Sequence, residues 1–141
     1  MTRLEFEQLR DLPGKVIESD IEFLAKDETS PNLVFDQVPV VNSLDWDVVL
    51  NGTYKPGIPS VTFNFVLRGV GPICRVCVNG QIHGAAGRTH KHDLTEPEDP
   101  RANLPAAVAR PDLVGKDPKE VWDILCRQAN ITHSGEFKNP Q

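Results

Sequence analysis

Val61-Thr62-Phe63-Asn64-Phe65-Val66-Leu67-Arg68 decides the fold, because Val61, Phe63, Phe65 and Leu67 alternate with Thr62, Asn64 and Arg68. Successive side chains of a strand point to opposite faces, so this period of two describes a strand with one apolar and one polar face. On its N-terminal side Trp46, Val48 and Leu50 alternate in the same way with Asp45, Asp47 and Asn51. Between the two runs, Tyr54-Lys55-Pro56-Gly57-Ile58-Pro59 is a loop by its Pro and Gly content. Further upstream, Leu33 to Val41 is a Val-rich strand in which Pro39 requires an edge position or a bend. Downstream, Ile73 to Val78 and Gln81 to His83 flank Asn79-Gly80, a hairpin signal because both turn residues tolerate positive φ. After Gly84-Ala85-Ala86-Gly87 the segment Arg88 to Leu94 resumes the extended chain, and Thr95 to Pro105 is polar and proline-bearing, hence a loop.

Outside these strands lie two helix signals. Thr2-Arg3-Leu4-Glu5 has capping-box spacing, Leu4, Leu9 and Leu12 give an apolar stripe, and Pro13-Gly14 ends it. Asp117-Pro118-Lys119-Glu120 joins an N-cap, a proline at the first helical position and a Glu three residues after the cap, and predicts a helix to about Ala129. From Lys15 to Lys26, Ile17, Ile21, Phe23 and Ala25 alternate with Glu18, Asp20 and Glu22 as in a strand, although a helix would also align Ile17, Ile21 and Leu24. The expected fold is α+β. An antiparallel meander of five to six strands carries a short N-terminal helix and a C-terminal helix packed on it, with residues 1–133 one domain and 134–141 a frayed tail.

The chain has 141 residues, enough for one core of ordinary size. Its 39% hydrophobic and 25% charged residues exclude both a membrane protein and a disordered one. No run reaches the roughly 20 apolar residues of a membrane span, and the start has no signal-peptide pattern. A cytoplasmic protein is expected. Its three cysteines, an odd number, fit free thiols in a reducing compartment. Cys74 and Cys77, three apart on a strand, face opposite sides and cannot share a tetrahedral ion, so each is expected to act as a small packing residue, as is Cys126.

The net charge of −5 is an average over unlike segments. Residues 1–50 carry four basic and eleven acidic side chains, whereas residues 51–92 carry Lys55, Arg68, Arg75, Arg88 and Lys91, three of the four histidines, and no Asp or Glu. At the end of that acid-free segment lies the densest polar cluster, Gly87-Arg88-Thr89-His90-Lys91-His92-Asp93. If the segment is extended, Arg88, His90 and His92 fall on one face. A guanidinium grips phosphate as a bidentate donor, and two imidazoles divide general-base and general-acid work across a phosphodiester, with no metal and no cofactor required if a ribose 2′-hydroxyl supplies the nucleophile. Arg88, His90 and His92 are therefore the candidate catalytic residues. Arg75, Lys91, His83, Arg68, Lys55 and Tyr54 are the candidate ligand-binding residues, with Tyr54 placed to stack on a base. An exposed basic surface whose histidines do nothing accounts for the same residues.

The run from Ile73 through His92, a hairpin ending in His-x-His, followed by the helix around Trp122, resembles small uncharacterised bacterial and phage proteins of mobile-element neighbourhoods. That resemblance covers about half the chain and implies toxin, antitoxin or anti-defence roles, without carrying over a catalytic residue.

Three functions are thus expected in competition. The first is binding of a phosphate-bearing ligand, RNA or a nucleotide, on the 51–92 face, with metal-independent ribonuclease activity as its strongest form. The second is a non-enzymatic module, an inhibitor or antitoxin-like partner of another protein through Glu18, Asp20, Glu22, Asp45 and Asp47. The third is a zinc site on His90 and His92, completed by His83, His133 or a carboxylate. Oligomeric state is not encoded in any pattern found.

Overall fold

The computed structural model describes residues 2–80, 82, 86–92 and 107–140, with the backbone alone at residues 3 and 92. Helix α1, Arg3–Asp11, begins at the expected capping box: Glu5 N donates to Thr2 Oγ1 (3.1 Å) and Thr2 N to Glu5 Oε2 (2.7 Å). Its buried face is Phe6 and Leu9, one turn apart, whereas Leu4, expected in the stripe, lies on the far side and is 64% exposed. Gly14, at φ 72°, then turns the chain back on the helix. That reversal brings Lys15 Nζ to the carbonyls of Leu9, Arg10 and Leu12 at 2.7, 2.7 and 2.8 Å, so a buried ammonium closes the C-terminus of α1.

The expected long strand over Lys15 to Lys26 is broken into β1 (Lys15–Ile17), β2 (Ile21–Glu22) and β3 (Leu24–Ala25). It breaks because its parts serve different partners. β1 runs parallel to β10 (Ile131–His133) and also bridges antiparallel to Val41; β2 runs parallel to β11 (Phe137–Lys138); β3 pairs antiparallel with β4 (Leu33–Val40). The residues expected to fray from Ser134 thus include a paired strand, and Phe137 is buried in the core.

From β3 the chain forms one antiparallel meander of seven strands in sequence order, one more than the upper expectation: β3, β4, β5 (Val48–Lys55), β6 (Ser60–Leu67), β7 (Gly71–Val78), β8 (His90–His92) and β9 (Ala107–Ala109). Pro39 pairs in register with Val49 on one side and lies beyond the short β3 on the other, so its missing N–H disrupts no ladder. A bulge between Phe35 and Val38 puts Gln37 at φ 59°. Trp46, expected in a strand, precedes β5 in a loop fixed by the Asn42 amide, which donates to Trp46 O (2.8 Å) and accepts from Trp46 N (3.0 Å). The expected Asn79-Gly80 hairpin is also wider than two residues. Asn79 takes φ 55° but Gly80 does not take a positive φ, Ile82 lies outside any strand, and Gly80 N bonds to Arg88 O (2.9 Å) to close a longer loop.

The pleat separates two faces. Leu50, Phe63, Phe65, Leu67, Val76 and Val78 point to the side covered by α1 and by α2 (Pro118–Gln128). A chain of rings crosses this core: Phe23 meets Phe35 edge-on at 5.0 Å, Phe63 lies 5.5 Å from Trp122, and Trp122 stacks on Phe137 at 6.0 Å. Gly52 has no side chain because a Cβ there would overlap the Phe35 ring. Trp122 Nε1 donates to His133 Nδ1 (3.1 Å), which leaves the ring hydrogen on Nε2, facing Ser19 O at 2.8 Å. Among the described residues no helix is long and apolar enough to cross a membrane.

Candidate polar hollow on the outer sheet face

The residues expected to carry chemistry separate once the strands are in place. His90 heads β8, which lies between β7 and β9 rather than at an edge, and its side chain is fully buried at 0% exposure with Nδ1 3.0 Å from Gly87 O. A base enclosed in this way cannot reach a phosphodiester in solution. Arg88 precedes the strand, so the alternation that was to align it with His90 does not include it. It is exposed, and its Nη1 donates to Gly80 O (3.2 Å). His92 pairs in register with Arg75. Arg88 and His90 therefore do not share one open face.

The ligand-binding candidates divide as well. Arg68 closes the opposite end of β6, where its Nε and Nη2 donate to Gln37 Oε1 (3.1 and 2.9 Å) and Nη1 reaches Asp47 Oδ1 (3.5 Å). Lys91 is in register with Val76 on the core-facing side and helps hold the Asp11 carboxyl below its ordinary value, after the larger effect of Arg10. Tyr54 turns to that same side and meets Phe23 at 6.2 Å. It cannot offer its ring to a base on the other face. His83 lies outside the described residues, as do residues 84 and 85 of the glycine-bearing tip.

Arg75 and Lys55 do come together. Both line a hollow of about 300 Å³ on the outer face of β5, β6 and β7, with Asn51, Gly52, Thr53, Thr62 and Asn64. The strand register explains the grouping: Thr53 lies opposite Thr62, Lys55 opposite Ser60, and Asn64 opposite Arg75. The lining holds two cations, four neutral polar side chains and no carboxylate. Two of its polar atoms, Arg75 Nε and Asn64 Oδ1, are buried without a hydrogen-bond partner. A buried unpaired polar atom costs about 1–3 kcal/mol, so a ligand that drew these groups into bonds would recover that penalty. Asn64, Thr53, Thr62 and Asn51 were not singled out from sequence. Their signal was present, since they are the polar members of the alternation that defined the strands.

Nucleophilic and metal chemistry find little here. Burial pushes the Cys77 thiol up, and Thr62 Oγ1 lies 3.7 Å from its sulfur. Cys74 packs against the opposite, core-facing side, as the spacing required. Among the described residues no group of three or more His, Cys, Asp or Glu is placed to hold a metal ion, and His133, a candidate third zinc ligand, is held by Trp122 and Ser19.

The acidic residues are partly occupied. Asp20 Oδ1 accepts from Glu136 N (2.8 Å), Glu22 meets Lys138 at 3.4 Å and Asp47 meets Arg68.

Comparison of the chain with protein-family models, with curated proteins and with solved structures finds no match in any of the three.

Proposed function

We propose that this protein binds a phosphate-bearing ligand, RNA or a nucleotide, in the outer-face hollow, with Arg75 and Lys55 as the phosphate contacts and Thr53, Thr62, Asn51 and Asn64 as neutral hydrogen-bonding partners. The observation that carries this reading is the convergence of Arg75 and Lys55, neither in a salt bridge among the described residues, in one concavity with no carboxylate lining it. A guanidinium and an ammonium give a phosphate a planar fork and a point charge, and hydroxyl and amide groups fix its orientation. Burial of His90 supports binding rather than strand cleavage.

Fluorescence anisotropy with a labelled single-stranded RNA tests the proposal. Two phosphate contacts on a single strand correspond to a loss of about sevenfold in affinity between about 50 and about 200 mM salt. Arg75→Ala combined with Lys55→Ala should abolish that salt dependence. Affinity indifferent to salt, or unchanged in the double variant, would overturn the assignment.

A further inference from the structure

Donors and acceptors in the outer-face hollow are not matched by a phosphate alone, and the surplus points to a second group on the ligand. We infer that the hollow selects ribose over deoxyribose, which rests on the phosphate binding proposed above: while Arg75 and Lys55 hold a phosphate, Asn64 and Thr62 accept a hydrogen bond from the 2′-hydroxyl of the sugar whose 3′-oxygen carries it.

The donors suffice for the phosphate. Arg75 brings its guanidinium and Lys55 its ammonium. Asn51 adds its amide N–H groups, because its Oδ1 already accepts from Gln37 N (2.8 Å). A phosphodiester oxygen is an acceptor and answers all of these.

Two acceptors are left over. Asn64 Oδ1 is buried with no hydrogen-bond partner. Thr62 Oγ1 donates its hydrogen to Cys77 Sγ (3.7 Å), so it has only lone pairs to offer a ligand, whereas Thr53 can take either role. An acceptor is satisfied only by a donor. Along a nucleic-acid backbone the 2′-hydroxyl is that donor, and the backbone of DNA has none.

Strand register sets the spacing. Asn64 and Arg75 are cross-strand partners of β6 and β7, which puts their Cβ atoms roughly 4.5–5.5 Å apart. Even so, Arg75 Nε and Asn64 Oδ1 are not bonded to each other, and each is unpaired. The 2′-hydroxyl and the 3′-phosphate sit on adjacent sugar carbons, so one ribose unit presents a donor and an acceptor side by side, as this pair requires. A small turn about χ2 of Asn64, a torsion with a broad well, brings its oxygen to the hydroxyl.

No aromatic ring lines the hollow, and Tyr54 faces the other side of the sheet. A base finds no surface there to stack on, so the contact reads sugar and phosphate without regard to sequence. The volume of about 300 Å³ is at the lower end of small-molecule sites, which suits one sugar–phosphate unit with its base outside.

Fluorescence anisotropy of the full chain at low salt, with labelled RNA, DNA and 2′-O-methyl RNA of one uracil-free sequence, provides the test. The methylated strand keeps the ribose oxygen and every base donor and loses only the hydroxyl hydrogen. RNA should bind about tenfold more tightly than either of the others, the loss of one hydrogen bond that leaves a buried acceptor unpaired. Asn64→Leu should bring the ratio of RNA to DNA affinity to about one. Equal affinity for RNA and DNA, 2′-O-methyl RNA binding as tightly as RNA, or a ratio unaltered in Asn64→Leu would overturn the selection of ribose. In each of those cases affinity that still falls with salt and in the Arg75→Ala, Lys55→Ala double variant leaves the phosphate contacts standing. Affinity indifferent to both overturns the phosphate contacts and the ribose selection together.

Discussion

Replacing Lys15 by Met isolates the most unusual interaction in the core. The side chain is 3% exposed, and its ammonium serves three carbonyls at the end of α1. Methionine keeps the unbranched stem and its packing but removes charge and donors. The Leu9 carbonyl bond is buried and would be stranded, a loss of about 2 kcal/mol. The Arg10 and Leu12 carbonyls are partly exposed and would regain water, so each contributes about 0.5 kcal/mol. A net destabilisation of about 2–3 kcal/mol is expected, a large share of a typical domain's stability. Urea unfolding, followed by the fluorescence of buried Trp122, measures it, with an unchanged denaturant slope. A variant as stable as the parent would show that dehydrating the ammonium consumes everything its three bonds return. pH supplies a second arm. Burial pushes the Lys15 amine down to about 8 from an ordinary 10.5. Between those values the unfolded chain holds a proton that the folded chain has lost, so the stability of the parent relative to the variant should rise with pH. A difference that shrinks as pH rises would mean that the carbonyl cage outweighs burial and holds the proton in place.

Two other perturbations follow from the packing. Gly52→Ala should destabilise by about 3 kcal/mol, because the new methyl overlaps the Phe35 ring in the middle of the sheet, whereas Gly57→Ala, with nothing within 4 Å of its Cβ, should be silent in the same thermal melt. Burial raises the Cys77 thiol, so in a background with Cys74 and Cys126 replaced by Ser, Ellman's reagent at neutral pH should label Cys77 only as fast as the protein opens. Rapid labelling of the folded protein would contradict that burial.

Where the determinants of structure are local, the sequence is legible. Both capping boxes form at the residues that announce them, since a cap needs only four consecutive residues. The alternation in Val61 to Leu67 becomes β6 with its apolar members in the core. What escapes reading is pairing between distant segments. Phe137 and Ile21 are cross-strand partners across most of the chain's length, and neither side carries enough periodicity to announce a two-residue strand. Ala107-Val108-Ala109 has no pattern at all, yet as β9 it covers the edge of β8. The Asn79-Gly80 signal is overridden by the bond between Gly80 N and Arg88 O, which sets a wider loop.

The histidine run shows how strand bounds change the reading of a polar stretch. An Arg-x-His-x-His run puts all three side chains on one open face only if a single strand carries all three and nothing packs over that face. Here the strand starts at His90, which leaves Arg88 outside it, and the His90 side chain is fully buried. The acid-free segment keeps its five fixed positive charges, but strand geometry distributes them. Lys91 shares the core-facing register of Val76, Arg68 is tied to Gln37 at one end of the sheet, and Arg88 caps the loop after β7. Lys55 and Arg75 remain because they share the parity of the pleat on strands two apart, with β6 supplying Thr62 and Asn64 between them. The clustering of charge along a chain is therefore a weaker guide to a binding site than its parity along paired strands. Tyr54 illustrates the same rule in reverse: one residue from Lys55, it belongs to the opposite face and lines a different cavity.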